Sequence, residues 1–323
     1  MLVVATAPVT APPPPNTPHR AGFATLVGRP NVGKSTLLNA LLGQKIAIVT
    51  PKPQTTRDRI VGVMPVPGGQ VVFLDTPGIH DGQAALNRHM TDVALSTLAE
   101  VDVIVALFDA SHARDGVISG PDQRVIDALK SSRKPAIAVL SKIDKVRKPA
   151  LLPTLAALDA TGAFVALIPV SATTGDGLDR LVAEIVPRLP EGPALYPEDD
   201  LTDRPMRFLC AELLREQIML ALTDELPYSA AVEVAAFTER ADKPLVEIEA
   251  TIHVERDSQK GILIGKRGEM LRQITSAART AMEELVGKQV FLRTFIRVEP
   301  NWTKDPAALE KLGYRATEKR RRT

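Results

Sequence analysis

Short apolar runs, each closed by a turn and followed by residues of helical period, recur along the first half of the chain. They fall near 22–27, 60–66, 71–75, 103–109, 136–140 and 164–170, and a helical pattern follows most of them. Such alternation predicts a mostly parallel sheet with helices on both faces. One pair departs from it. The runs 60–66 and 71–75 are joined only by Pro67-Gly68-Gly69-Gln70, too short for a crossover, so that pair is expected to be antiparallel.

After residue 205 the order of patterns changes. A helix is expected over Met206 to Leu222, then strands over Ala230 to Phe237 and Leu245 to Val254. A further apolar run ending at Ile264 reads as a strand leading into Gly265-Lys266-Arg267-Gly268, with a helix over Met270 to Leu285 and a last strand over Gln289 to Val298. Between the two patterns, prolines at 187, 190, 193, 197 and 205 forbid a continuous helix and Glu198-Asp199-Asp200 opposes packing, so 187–205 reads as a linker. The expected organisation is a proline-rich disordered tail over 1–20, an α/β domain over 21–186, that linker, an α+β domain over 206–304 and a basic tail over 305–323.

The turn after the first run carries the strongest chemical signal. Gly28-Arg29-Pro30-Asn31-Val32-Gly33-Lys34-Ser35 fits the G-x-x-x-x-G-K-[ST] phosphate loop, lying after a strand and opening into the helix that begins around Thr36. Gly28, Asn31, Gly33 and Thr36 shape a backbone cradle for phosphate, Lys34 reaches the β and γ phosphates, and Ser35 is a ligand for Mg²⁺. At the end of the 71–75 run, Asp75-Thr76-Pro77-Gly78 delivers a carboxylate for Mg²⁺ and, at Gly78, an N–H able to sense a γ-phosphate.

Two later turns speak to the base. Ser141-Lys142-Ile143-Asp144 and Ser171-Ala172-Thr173-Thr174-Gly175 each follow a strand-like run. The Asp144 carboxylate can accept from N1–H and the 2-amino group of guanine together, and adenine would leave it buried without a partner. In order, the four motifs resemble those of translation-factor-like GTPases. Where that pattern has Asn this chain has Ser141, so fewer contacts to the base edge and to the phosphate loop are expected, with guanine specificity carried by Asp144.

Charge is distributed unevenly. Residues 256–323 carry 16 Lys+Arg against 8 Asp+Glu, a net +8, in a chain whose total is +2. That end is a candidate footprint for nucleic acid. Within it, Gly265-Lys266-Arg267-Gly268 is the G-x-x-G loop with which KH modules clamp about four nucleotides of backbone, and the surrounding element order is that of a type II KH fold. The glycines would let RNA approach while Lys266 and Arg267 meet phosphates. On the following helix Leu271, Ile274 and Ala278 share a core face, and Arg272 and Arg279 fall nearer solvent. For Arg272 and Arg279 alike, RNA contact and simple solvation are equally good readings.

The joined pair, a GTPase domain followed by a type II KH domain, resembles the Era family of bacterial GTPases over nearly everything after residue 20. Pro51-Lys52-Pro53-Gln54-Thr55-Thr56-Arg57-Asp58 looks like that family's first switch, Glu212 to Gln217 and Glu225 to Tyr228 like its KH opening, and Arg297 to Trp302 like its ending. The resemblance implies a GTP-hydrolysing switch that binds the 3′ end of small-subunit (16S) ribosomal RNA and promotes maturation of the 30S subunit. It also implies that Thr56 meets Mg²⁺ when GTP is bound, and that Asn31 helps hold K⁺ beside the phosphates; capping of the loop is an equal reading for Asn31. Ile79 stands where Ras-like enzymes orient water with glutamine, so slow intrinsic hydrolysis is expected.

The remaining composition narrows the setting. One cysteine, Cys210, excludes an internal disulfide and reads as a small core residue, and the five histidines show no metal-ligand spacing. No apolar run is long enough to cross a bilayer and no secretory signal is recognisable, so a cytoplasmic, monomeric protein is expected. The terminal Lys319-Arg320-Arg321-Arg322 could meet RNA, anionic lipid at the inner face of the cell membrane, or water. Two other readings stand beside the main one: an RNA-binding anchor that holds GDP with little hydrolysis, and a GTPase acting on another RNA or at the membrane surface.

Overall fold

Every residue of β4 (Val103–Asp109) is buried, as a strand covered on both faces must be. Burying Ile104 and Leu107, both fully enclosed, contributes about 1.5–3 kcal/mol each. A computed structural model describes residues 18–78, 84–112 and 116–314. Most of the proline-rich tail, Ile79 and Lys319 to Arg322 lie outside the described residues.

In chain order β1 (Arg20–Val27), α1 (Lys34–Leu42), β2 (Ile60–Val66), β3 (Gly69–Asp75) and α2 (Ala85–Glu100) precede β4. They are followed by α3 (Gly120–Ser132), β5 (Ala136–Ser141), α4 (Leu152–Ala160), β6 (Ala166–Pro169) and α5 (Leu178–Ile185). The sheet runs β2-β3-β1-β4-β5-β6. All its pairs are parallel except β2 with β3, whose connection is too tight for any other arrangement. Since β3 and β4 lie on opposite sides of β1, the strand order reverses at the carboxyl end of β1, the place where open α/β sheets bind ligands.

The chain divides into two compact units. One is drawn from Met1–Ala47, Thr56–Asp81 and Met90–Asp203, the other from Ile48–Thr55, Gly82–His89 and Arg204–Thr323. Two segments that the sequence places among the α/β elements are therefore grouped with the second unit. The proline-rich stretch read as a linker is anchored to the first unit as far as Asp203. Val63 N–H donates to Leu201 O at 2.8 Å, Gln70 Oε1 accepts from the N–H groups of Leu195 and Tyr196, and Arg20 donates to Leu189 O at 2.7 Å. The acids were expected to oppose packing, but Glu198, Asp199 and Asp200 stay exposed while backbone groups make the attachment.

The second unit contains α6 (Met206–Ala221), β7 (Ala231–Glu239), β8 (Leu245–Val254), α7 (Asp257–Ile264), α8 (Glu269–Val286), β9 (Gln289–Val298) and α9 (Pro306–Lys311). Its sheet is β7-β8-β9, antiparallel then parallel, with a bulge between Val234 and Ala236. The alternation of β8 points Val246, Ile248, Ala250 and Ile252 into a core shared with Leu214 and Ile218 of α6 and Ile274, Ala278 and Met282 of α8. Cys210 lies in the same core, and burial pushes its thiol up to about 12, so it behaves as an apolar side chain. The fold class is thus the expected one, with one correction. The apolar run before Gly265 is not a strand but helix α7, because Gln259 accepts from the N–H groups of Glu255 and Arg256 and starts a helical turn before the run begins.

Candidate functional site

The first site forms around the turn after β1. Gly33 has φ 105°, a conformation that favours glycine, and it turns the chain directly into α1, whose first N–H groups have no side-chain cap. Lys34, buried at the start of α1, donates from Nζ to the carbonyls of Gly28 at 3.3 Å and Arg29 at 3.2 Å. Gly78 lies against the same loop: a Cβ there would stand 3.0 Å from Pro30 Cγ. Thr36 is partly buried beside Gly33 and both line a neighbouring cavity.

Three oxygen-bearing side chains, distant in sequence, converge next to Lys34. Ser35 Oγ donates to Asp75 Oδ2 at 2.6 Å, Thr56 Oγ1 lies 2.9 Å from Ser35 Oγ, and Thr56 Oγ1 lies 3.3 Å from Asp75 Oδ2. Thr55, the other hydroxyl of the pair, turns away to Thr50 Oγ1 and Lys52 O. Asp75 is fully buried, and its other oxygen, Oδ1, has no hydrogen-bond partner among the described residues. Burial pushes the Asp75 carboxyl up, opposed by the Lys34 ammonium and by hydrogen bonds from Ser35, Thr56 and the Thr76 backbone. Burial likewise pushes Lys34 down, opposed by Asp75. A buried carboxylate with an idle oxygen, flanked by two hydroxyls, is a donor set that fits a hard divalent cation, and a buried ammonium at a helix start fits an anion. Clusters of three or more His, Cys, Asp or Glu are absent among the described residues, so hydroxyls and one carboxylate make up this candidate set.

A cavity of about 160 Å³ opens beside the loop, lined by Val32, Gly33, Thr36, Ser141, Lys142, Asp144, Ala172 and Thr173 among others. Ser171 Oγ donates to Asp144 Oδ1 at 2.7 Å and so orients that carboxylate. Ser141 reaches further than its length suggested. Its hydroxyl proton is shared between Val32 O at 2.8 Å and Phe108 O at 3.1 Å, which ties the phosphate loop to the end of β4. Lys142 makes a second tie, donating from Nζ to Asn31 O and to Asp109 Oδ2, each at 2.7 Å. The backbone of Asn31 (φ 61°) therefore takes part in holding the loop. Asp109 was missed in the sequence reading. Although burial pushes its carboxyl up, hydrogen bonds from Lys142 and Ser111 leave it below the usual range and ionised. An acid ending the β4 run was the visible signal, but only the fold puts it against Lys142.

The second candidate site belongs to the second unit. Gly265 (φ 70°) lets α7 turn sharply into α8: a Cβ at this position would stand 2.6 Å from Met270 Cβ. Arg267 and Gly268 also have positive φ, and Lys266 and Arg267 are exposed. Arg272 is exposed near the start of α8, whereas Arg279 pairs with Glu283 at 2.8 Å. Ile274 and Ala278 are core residues and Leu271 packs on that core while partly exposed. Ile262 of α7 was not anticipated. It is 58% exposed three residues before the loop and offers an apolar surface there.

Comparison with known proteins finds relatives of both units. The family model described as "50S ribosome-binding GTPase" matches residues 23–142, and the one described as "KH domain" matches residues 225–303. The chain is 49% identical to GTPase Era of Geobacter metallireducens over 299 residues, covering 93% of this chain and 99% of that protein. It is 50% identical to GTPase Era of Geotalea uraniireducens over 295 residues, covering 91% and 98%. Among solved structures, Era in complex with MgGDPNP and nucleotides 1506–1542 of 16S ribosomal RNA superimposes with a TM-score of 0.87 at 37% identity, over 92% of this chain and 99% of that one. A point variant of Aquifex aeolicus Era bound to GDP·AlF4⁻ gives 0.87 at 38% identity, over 91% and 99%.

Proposed function

The chain belongs to the Era family of GTPases, and from that premise we propose that its first unit binds and hydrolyses GTP while its second holds the 3′ end of small-subunit ribosomal RNA, promoting maturation of the 30S subunit. The observation that carries this reading is the meeting of Ser35, Thr56 and Asp75 beside Lys34, in a chain that also presents Lys266 and Arg267 on a glycine-bounded turn.

Ser35, Thr56 and Asp75 would hold Mg²⁺, which supplies neutralisation of charge on the β and γ phosphates. Lys34 would exchange its loop carbonyls for phosphate oxygens, so its buried charge finds the anion it lacks. Gly28, Asn31, Gly33 and Thr36 would contribute the cradle and Gly78 its N–H. Asp144, oriented by Ser171, would accept from guanine, with Ser141, Lys142 and Ala172 shaping the pocket around it. Gly265 and Gly268 would let RNA backbone approach, with Lys266, Arg267 and Arg272 meeting phosphates. A monomer working in the cytoplasm, with Lys319 to Arg322 available to RNA or to an anionic membrane surface, completes the proposal.

Single-turnover hydrolysis tests the first half. Asp75→Asn keeps the size of the side chain and removes its charge, and is expected to slow GTP hydrolysis by about 100-fold. Undiminished turnover in that variant would remove the metal role. Potassium tests Asn31. Replacing Na⁺ by K⁺ is expected to raise the slow intrinsic rate, and Asn31→Ala to abolish the increment while GDP still binds, because the Asn31 carbonyl used by Lys142 is backbone. Equal rates in both salts would leave Asn31 with loop capping alone.

A further inference from the structure

The second unit includes Ile48–Thr55, the loop that runs directly into Thr56. Three contacts pin this loop to α6. Val49 N–H donates to Glu216 Oε1 at 2.9 Å. Lys52 Nζ donates to the carbonyls of Met219 and Leu222, where α6 ends and its last oxygens carry partial negative charge. Arg215 Nη2 donates to the carbonyl of Thr55.

Two of these partners are buried charges. Arg215 and Glu216 are 1% and 2% exposed, on a helix whose core contribution already comes from Leu209, Leu213, Leu214 and Ile218. Placing two charges there is costly unless their hydrogen-bonding groups are used. Glu212 accepts from Arg215 Nε at 2.7 Å and from Nη2 at 2.5 Å, a two-point grip that fixes the plane of the guanidinium. A further N–H of the fork is thereby aimed at Thr55 O. The local core does not call for this arrangement, whereas it determines where the Thr55–Thr56 peptide lies.

We propose that Arg215 is a positioning residue for GTP hydrolysis. By holding the Thr55 carbonyl it sets the backbone from which Thr56 presents its hydroxyl to Ser35 and Asp75, and Glu216 and Lys52 hold the turn before it. The proposal rests on the metal role given to Thr56 above. Such a threonine matters when a γ-phosphate and its metal order the switch loop, and matters little to GDP. Loosening its backbone therefore lowers the hydrolytic rate and spares nucleotide affinity.

Arg215→Met retains the apolar stem and removes the donors. In single-turnover assays it is expected to slow hydrolysis by about tenfold, and Lys52→Met by about threefold. For both, affinity for a fluorescent GDP analogue and for single-stranded RNA is expected to stay within about twofold, since neither contact touches those ligands. Arg215→Lys, which still offers an ammonium to Thr55 O, recovers part of the rate. Hydrolysis at the parental rate in both methionine variants overturns the proposal, as does a parallel loss of GDP affinity, which would mark general damage. Should Arg215→Met fail to fold by circular dichroism, Lys52→Met decides, because its side chain is partly exposed. A parent protein that did not hydrolyse GTP would overturn the functional reading itself and would be seen before any variant was compared.

Discussion

Changing Lys266 and Arg267 together to aspartate is expected to weaken binding of single-stranded RNA by about 100-fold or more at fixed salt, because two attractions to phosphate become repulsions. The fold should survive the change. Both side chains are exposed, and Gly265, which makes the turn, is untouched. GTP affinity is expected to be unchanged, since the variant residues lie in the second unit and the Ser35, Thr56 and Asp75 cluster in the first. Fluorescence anisotropy can compare parent and variant on a strand from the 3′ end of small-subunit ribosomal RNA, a scrambled strand and a duplex. The parent should prefer the single strands to the duplex, and the first strand to the scrambled one. Tight binding by the double variant would reduce the loop to a turn.

The second large effect concerns the base. Parent protein is expected to bind GTP and GDP and to reject ATP, because Asp144 is satisfied only by two adjacent donors. Asp144→Asn loses two charge-assisted hydrogen bonds, about 3 kcal/mol or more, so guanine nucleotides should bind about 100-fold more weakly. Xanthine presents an acceptor where guanine has its 2-amino group, and its nucleotides should gain correspondingly. Ser171 should still hold the new amide, since its hydroxyl can donate to the remaining carbonyl oxygen. Titration with the four nucleotides checks this directly, and equal affinity of the parent for ATP and GTP would contradict it.

Much of the first unit was legible because its motifs are local. Each of Gly28 to Ser35, Asp75 to Gly78, Ser141 to Asp144 and Ser171 to Gly175 lies at or just after the end of its own strand, and an apolar run with a turn after it is a pattern of a few residues. The antiparallel pair was legible for the same reason, since a connection of four residues permits nothing else. The run before Gly265 was not. Four residues of apolar sequence, Gly261 to Ile264, serve a buried strand or a helix equally well, and what decided for α7 was a capping interaction from Gln259 together with a sheet already complete in three strands. The anchoring of 187–203 was illegible too, because that stretch offers its own backbone groups to Val63, Gln70 and Arg20, and composition reports only side chains.

The sequence by itself determined the phosphate-loop motif, the order of strands and helices in the first unit, the carboxylate of Asp144 after its strand and the basic glycine-bounded turn, all of which depend on residues within one turn or strand of each other. Only the tertiary structure brought Thr56 into contact with Ser35 and Asp75, set Asp109 against Lys142, and tied Ile48–Thr55 to α6. Those meetings join residues between 19 and 170 positions apart. Short-range periodicity carries no information about such distances; they follow from which strands pair and from the need of each buried charge for a partner.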